Sequence, residues 1–260
     1  MILDDIVAAK RRDLAEEEVQ VPLVALERQA ADAPGPRDFA AALAQPGLSV
    51  IAEVKRASPS NGLIAADIDP AAVAADYEQG GAAAISVLTE RHFFLGSPGA
   101  LRAVRQAVAL PILRKDFIIS ERQVIEAHVI GADAILLIAA ILDDAAMARL
   151  YRLASELGLT CLFEAHDGEE IRRVVNCGAR VIGINNRNLK TMTTDLATFE
   201  KLRLLLPADV LAVAESGIHT AADARRMTLA GADAILVGES LMRAGDRAAL
   251  LGGFRGWGNG

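Results

Sequence analysis

A length of 260 residues, eight short apolar runs that alternate with helical stretches, and one phrase repeated about every 50 residues together predict a single α/β domain, a (β/α)8 barrel of the TIM type with an N-terminal helical extension. The phrase reads Gly81-Ala82-Ala83-Ala84-Ile85, Gly131-Ala132-Asp133-Ala134-Ile135, Gly178-Ala179-Arg180-Val181-Ile182 and Gly231-Ala232-Asp233-Ala234-Ile235. Each copy follows an amphipathic stretch. Its glycine is therefore expected to cap a helix C-terminus, and the apolar residues after it to form a buried strand. Ser49 to Val54 precedes the first copy, and Leu110 to Leu113, Thr160 to Phe163 and Val210 to Ala214 lie between the copies. Interleaving the two sets gives eight strands at intervals of roughly 22 to 35 residues, the spacing of βα units.

Helical periodicity fills the gaps: Pro70 to Gln79 carries Ala71, Val73, Ala74 and Tyr77, and Ala145 to Leu157 repeats Met147, Leu150, Tyr151 and Ala154. A doubly wound open sheet fits less well, because no Gly-x-Gly-x-x-Gly follows any strand and the repeat runs evenly to the C-terminal end. Ahead of the first strand, helical patterns cover Leu3 to Glu18, Leu23 to Ala31 and Asp38 to Ala44. Residues 1–48 are too few to bury a core of their own, so they are expected to pack on the barrel and leave residues 1–260 as one domain.

Composition narrows the function classes. A net charge of −7 argues against a partner among nucleic acids or anionic membranes. The longest apolar run, Ala134 to Leu142, is far short of the ~20 residues of a membrane span. The start Met1-Ile2-Leu3-Asp4-Asp5 lacks the basic and apolar regions of a signal peptide, which predicts a cytoplasmic protein. Cys161 and Cys177 form no CxxC, and His92, His128, His166 and His219 show no ligand spacing, so neither a disulfide framework nor a metal site is expected.

In a barrel of this kind the residues at the C-terminal ends of the strands line the active face. The first strand supplies Glu53, Lys55 and Arg56 and runs on through Ser58, Pro59, Ser60, Asn61 and Gly62; the third supplies Arg114, Lys115 and Asp116. Glu164, Asn185-Asn186-Arg187, Glu215-Ser216-Gly217 and Gly238-Glu239-Ser240 end the fifth to eighth. The fourth strand continues as Leu137-Ile138-Ala139-Ala140, an apolar wall. Only five basic residues are lysines, yet Lys55 and Lys115 both fall at strand ends. An ammonium can donate a proton, whereas a guanidinium cannot usefully do so. Such lysines can also serve merely as partners of rim carboxylates, but beside Glu53, Glu164 and Glu215 a catalytic cluster is the stronger reading. Glu53 and Lys55 are two apart on a strand and so share a face. The glycine-bearing loops after the seventh and eighth strands suit main-chain phosphate binding, although left-handed turns need glycine too. Asn185 and Arg187 could orient hydroxyl or carboxylate groups, Asn186 serves a turn, and Phe94 and Phe117 either pack or flank an aromatic ligand.

The segments Glu53-Val54-Lys55-Arg56-Ala57-Ser58-Pro59-Ser60, Leu113-Arg114-Lys115-Asp116-Phe117-Ile118, Ile182-Gly183-Ile184-Asn185-Asn186-Arg187-Asn188-Leu189, Ala214-Glu215-Ser216-Gly217-Ile218 and Val237-Gly238-Glu239-Ser240-Leu241-Met242 closely resemble the signature segments of the indole-3-glycerol-phosphate synthases. The resemblance spans the chain, including its N-terminal extension. It implies ring closure with decarboxylation and dehydration of 1-(2-carboxyphenylamino)-1-deoxyribulose 5-phosphate to indole-3-glycerol phosphate, in tryptophan biosynthesis, by a monomer that needs no cofactor and no metal. By resemblance, Lys115 is the general acid at the ribulose carbonyl. Lys55 contacts anionic groups of the substrate, its phosphate included, and assists later steps. Glu164 transfers the proton during dehydration, and Glu53 sits beside Lys55 as a further candidate base. Asn185, Arg187, Glu215 and Ser216 hold the substrate; Ser58, Gly217, Gly238, Glu239 and Ser240 belong to its substrate- and phosphate-binding segments; Phe94, Phe117 and Leu189 wall the anthranilate ring. Two departures stand out: Phe163-Glu164-Ala165-His166 replaces the Val-Glu-Val-His common in the family, and a carboxylate at Glu239 must point away from phosphate.

The residues alone leave rivals. A strand-end lysine also suits a Schiff-base aldolase acting on a phosphosugar. A phosphosugar isomerase and a non-catalytic phosphate-binding subunit are the others. Release of carbon dioxide, or failure to turn over while still binding product, separates them.

Overall fold

The computed structural model of the chain describes residues 2–60, 62–189 and 191–256; Asn61, expected on the rim, and Lys190 lie outside them. Eight parallel strands close into a barrel: β1 (Ser49–Val54), β2 (Ala84–Leu88), β3 (Ile112–Lys115), β4 (Ala134–Ile138), β5 (Thr160–Ala165), β6 (Val181–Asn185), β7 (Leu211–Glu215) and β8 (Ala234–Val237). Each strand pairs with its neighbours in sequence, and β1 pairs with β8 to close the ring. The third strand begins at Ile112 rather than Leu110, because Leu110 and Pro111 still belong to the turn. The fifth and seventh run on to Ala165 and Glu215, so their carboxylates lie inside the sheet rather than beyond it.

Strand parity sorts the apolar residues into two cores. Ile51, Ala84, Leu113, Ala134, Leu136, Leu162, Val181, Val213, Ala234 and Leu236 fill the barrel interior. Val50, Ala52, Ile85, Ile112, Ile135, Phe163, Ile182 and Ala212 face outward against the helices. Because successive side chains point to opposite faces, Glu53, Lys115, Glu164 and Glu215 must share the inner face of Ile51, Leu113, Leu162 and Val213. That parity alone aims four charged groups into the barrel axis.

The repeated glycines explain the regular turns. Gly81, Gly131, Gly178 and Gly231 have φ of 82°, 87°, 88° and 88°, one residue beyond the helix cap rather than on it. The N–H of the residue after each glycine reaches back to the last turn of the helix, as in Ala82 to the Tyr77 carbonyl and Ala132 to Ala127, which closes a Schellman turn. A side chain with a Cβ is strained at such φ. Gly158 makes the same turn before β5 without the full phrase.

The extension divides its work between the two ends of the barrel. Helices α1 (Ile2–Gln20), α2 (Leu23–Ala31) and α3 (Phe39–Leu43) precede β1. From α3, Phe39 and Leu43 are fully buried in the inner core and plug the N-terminal end, while Arg37 donates to the Val108 and Leu110 carbonyls. From α1, Lys10 meets Asp116 at 2.8 Å, Asp13 meets His92 at 2.9 Å and Glu17 meets Arg91 at 2.7 Å. These contacts lay α1 over the C-terminal ends of β2 and β3. None of the helices among the described residues is long and apolar enough to cross a membrane.

Candidate active site

The C-terminal end of the barrel opens into a pocket lined by Glu53, Lys55, Lys115, Glu164 and Glu215, all singled out by the sequence; Arg56 and Arg114, expected on the same face, do not line it, and Arg114 is buried against Asp116 and Glu126. Lys115, the last residue of β3, lies at its floor. Its Nζ is 2.9 Å from Glu164 Oε2 and 3.0 Å from Glu215 Oε2. Across the floor, Lys55 Nζ is 2.6 Å from Glu53 Oε2. All three carboxylates are buried, with 2–4% of each side chain exposed, so each charge depends on its partner rather than on water.

Glycine makes room for both clusters. A Cβ on Gly183 in β6 would strike Glu215 Oε1, and a Cβ on Gly238 after β8 would strike Glu53 Oε2 and lie 3.0 Å from Lys55 Nζ. Gly238 thus accommodates the Glu53–Lys55 pair, a packing demand separate from its expected place beside phosphate.

Burial and charge set the protonation states. Burial by itself would drive Lys115 towards neutrality, but Glu164, Glu215 and Glu53 outweigh it and hold the ammonium well above its ordinary range. Burial disfavours the Glu164 anion, yet Lys115 and His166 overcome it and hold that carboxyl far below its usual range. Glu215 goes the other way: burial, with Glu164 and Glu53 adding to it, outweighs Lys115 and pushes it up to about 7. Two carboxylates on one lysine therefore titrate apart, the pattern that separates an ionised base from a carboxyl able to carry a proton near neutral pH.

The remaining residues frame this floor. Asn185 Nδ2 donates to Glu164 Oε1 at 3.2 Å, and its Oδ1 accepts from Arg187 N at 3.0 Å. Arg187 also donates to Ser60 Oγ, tying the loop after β6 to that after β1. Asn186, expected in a turn, is buried; it donates to the Ser216 carbonyl and accepts from Phe199 N, fixing the end of β7. Ser216 takes a left-handed φ of 65°, followed by Gly217 at 79°. Phe94 and Phe117 stand 6.1 Å apart between ring centres, and with Leu189, Leu136 and Ile138 they supply the apolar wall. Glu90 orients Phe94 by accepting from the main-chain N–H of His92, Phe93 and Phe94. Gly238, Glu239 and Ser240 open a short helix that no side chain caps; Ser240 Oγ donates to the Ile218 carbonyl, and the Glu239 carboxylate is held by Arg243 at 3.2 Å. Ser58 is buried, its Oγ 3.4 Å from that of Ser60.

Three contributions escaped the sequence reading. Ile2, Leu3 and Ile6 of α1 line the pocket, which their helical spacing on an N-terminal segment does not reveal. Lys10, counted among the five lysines, clamps Asp116 next to Lys115. His166 lies 3.2 Å from Glu164 Oε1, and its position two residues past Glu164 is the signal that it falls on the same side of the chain.

The family model described as indole-3-glycerol phosphate synthase matches residues 3–252. Proteins of that name from Streptomyces griseus and a Nocardioides species are 51% and 53% identical to this chain, over 96% and 94% of it and over 93% and 94% of their own lengths. One from Chlorobium chlorochromatii is 47% identical over 92% of the chain and 94% of its own length. Among solved structures, thiamine phosphate pyrophosphorylase from Pyrococcus furiosus superposes with a TM-score of 0.60 at 18% identity, covering 80% of this chain and 94% of its own. A 3-hexulose-6-phosphate synthase does so at 0.61 and 17%, covering 80% and 99%. At these identities the structural likeness concerns the fold alone.

Proposed function

Since the chain belongs to the indole-3-glycerol phosphate synthase family, and is thus a carboxy-lyase of tryptophan biosynthesis acting on a small phosphorylated substrate, we propose that the Lys115–Glu164–Glu215 cluster carries the proton transfers of ring closure and dehydration. The observation that supports this is one ammonium shared by two buried carboxylates of opposite tendency, at the floor of a pocket with an aromatic wall.

In ring closure, the anthranilate carbon that bears the carboxylate attacks the ribulose carbonyl. Lys115 has three N–H donors, two of them engaged, and the third supports the oxygen as its charge develops and then protonates it. Loss of carbon dioxide restores the aromatic ring, and a cation near the departing carboxylate favours that step; Lys55, set against Glu53, takes this part. Dehydration then needs an acid at the hydroxyl and a base for the proton lost from the new five-membered ring. Glu164 is the base, because it is held ionised, while Lys55 or Glu215 returns the proton to the hydroxyl. Asn185, Arg187, Ser216 and Ser58 hold the substrate's polar groups. Phe94, Phe117 and Leu189 flank the anthranilate ring. The phosphate is taken by main-chain N–H groups of Gly217, Gly238, Glu239 and Ser240 with Lys55; the Glu239–Arg243 pair supports a main-chain rather than a side-chain role for Glu239.

No metal or cofactor has a part in this reading. The chain acts as a cytoplasmic monomer of one domain, without nucleic-acid partners, a reading supported by its net charge of −7, its two free thiols and the packing of the extension on both barrel ends. Product fluorescence with the anthranilate-linked ribulose phosphate tests the assignment. Lys115→Ala is expected to lose at least the ~10²–10⁴-fold of general acid–base catalysis with little change in product affinity. Turnover within tenfold of the parent would remove Lys115 from the reaction.

A further inference from the structure

Glu164 is held from outside the pocket as well as from within. On the pocket side, Oε2 meets Lys115 and Oε1 accepts from Asn185. Behind it, His166 Nε2 lies 3.2 Å from Oε1, and the approach is an ion-pair contact rather than an aligned hydrogen bond. The other ring nitrogen, Nδ1, is 3.0 Å from Glu170 Oε2, and that same oxygen accepts the His166 main-chain N–H at 2.8 Å. The ring therefore bridges two carboxylates. Neither His166 nor Glu170 lines the pocket, and their side chains are 13% and 16% exposed.

We propose that His166, locked by Glu170, is a positioning residue that keeps Glu164 ionised and aimed at Lys115 until it accepts the proton of dehydration. This rests on the reading of Glu164 as the proton-accepting carboxylate. A purely structural account covers only part of the geometry. Glu170 lies in the first turn of the helix Gly168–Asn176, and its acceptance of the His166 N–H resembles a helix-start device. That device needs no imidazole. The ring adds a second donor to Glu170 and sets its far nitrogen against the one carboxylate that must be charged when dehydration begins.

The charged groups around the pair support the direction. Glu164 is faced by Lys115 from β3 and His166 from its own strand end, with Glu215 of β7 sharing Lys115 and Glu53 of β1 beyond it. His166 is faced by Glu164 and Glu170. Burial alone would lower the imidazole's pKa, but these two carboxylates push it up to about 10, so the ring is a cation at neutral pH. A second cation lets Glu164 remain an anion while Lys115 is giving up its proton, when a single-lysine site would let the carboxyl take one back.

His166→Gln and Glu170→Gln separate these accounts in full-length protein, with product fluorescence followed from acid to neutral pH. Glu164 is held far below the usual carboxylate range while Glu215 ionises near 7, so the limb at lowest pH reports Glu164; in His166→Gln that limb should move up by about one pH unit, the scale of losing one neighbouring charge, with KM within about twofold. In Glu170→Gln it should move the same way by less, and nitrogen NMR of the His166 ring should show its pKa falling. If His166→Gln does not fold, Glu170→Gln carries the test, because the amide oxygen of the substituted side chain can still accept the main-chain N–H. Acidic limbs that overlay the parent in the folded variants, or a loss of turnover equal at every pH, would overturn the proposal. Glu164→Gln distinguishes the two layers. If it abolishes the acidic limb while His166→Gln leaves the limb in place, only the positioning role fails; if it leaves the limb intact, the reading of Glu164 fails and takes this one with it.

Discussion

Gly183→Ala probes the floor of the site without substituting a charged residue. Gly183 lies in β6 among the inward-facing residues, with no left-handed φ, so alanine meets no backbone strain there. The cost is steric. The new Cβ would strike Glu215 Oε1, with Glu215 Cδ at 3.0 Å and Leu162 Cδ1 at 3.4 Å. Restoring van der Waals separation requires the carboxylate to retreat by roughly 1 Å or more. That movement takes Glu215 Oε2 away from its 3.0 Å contact with Lys115. Overfilling a packed interior costs about 1–3 kcal/mol. A misplacement of order 1 Å in the catalytic array costs about 10²-fold in turnover. Thermal unfolding and product fluorescence read the two effects. The decisive comparison is a double-mutant cycle: Glu215→Ala removes the atoms that collide, so Gly183→Ala in that background should add little further loss of stability or turnover. Additive losses, or parental turnover in Gly183→Ala alone, would refute the idea that this glycine exists to seat Glu215.

Glu215→Gln should stabilise the protein at neutral and higher pH. The folded carboxyl ionises at about 7 and the unfolded one at 4.5, so the parent loses stability as pH rises through that window and the glutamine variant does not. Its advantage in denaturant unfolding should grow from pH 4.5 to 7, then level off at up to about 3 kcal/mol; an advantage independent of pH would contradict the assignment. Lys10→Met should lower stability by about 1–3 kcal/mol, because buried Asp116 loses an ion pair and is left, among the described residues, with Arg114, Thr89 and the Phe117 main-chain N–H. Loss below about 0.5 kcal/mol would mean that the pair is incidental. Inorganic sulfate should compete with substrate if main-chain groups after β7 and β8 take the phosphate; inhibition that substrate does not relieve would place the anion elsewhere. Gly238→Ala should lower turnover as well as affinity, since its Cβ meets Glu53 and Lys55. A pure KM effect would place the glycine in phosphate binding only.

Much of this molecule is legible without coordinates because its determinants are local. Alternation along a strand puts Glu53 and Lys55 on one face from their spacing, and the apolar runs that end at Lys115, Glu164 and Glu215 place those residues on the same rim. The repeated glycines mark turns that only a left-handed residue closes, and that periodicity announces eight βα units. What the sequence could not reveal depends on closure of the ring. Lys115 finds Glu164 and Glu215 at sequence separations of 49 and 100 residues, and only the register of β3 to β7 makes one ammonium serve both. The same closure splits two chemically identical carboxyls into one held ionised and one that titrates near neutral pH, since each answers to the field of its neighbours. It also gives Gly183 and Gly238 their purpose as absent side chains, places α1 over the pocket, and turns His166 towards Glu164. Residue types and spacings determine the barrel and its inward faces; burial, distance and mutual charge, which exist only once the barrel closes, decide what each group can do.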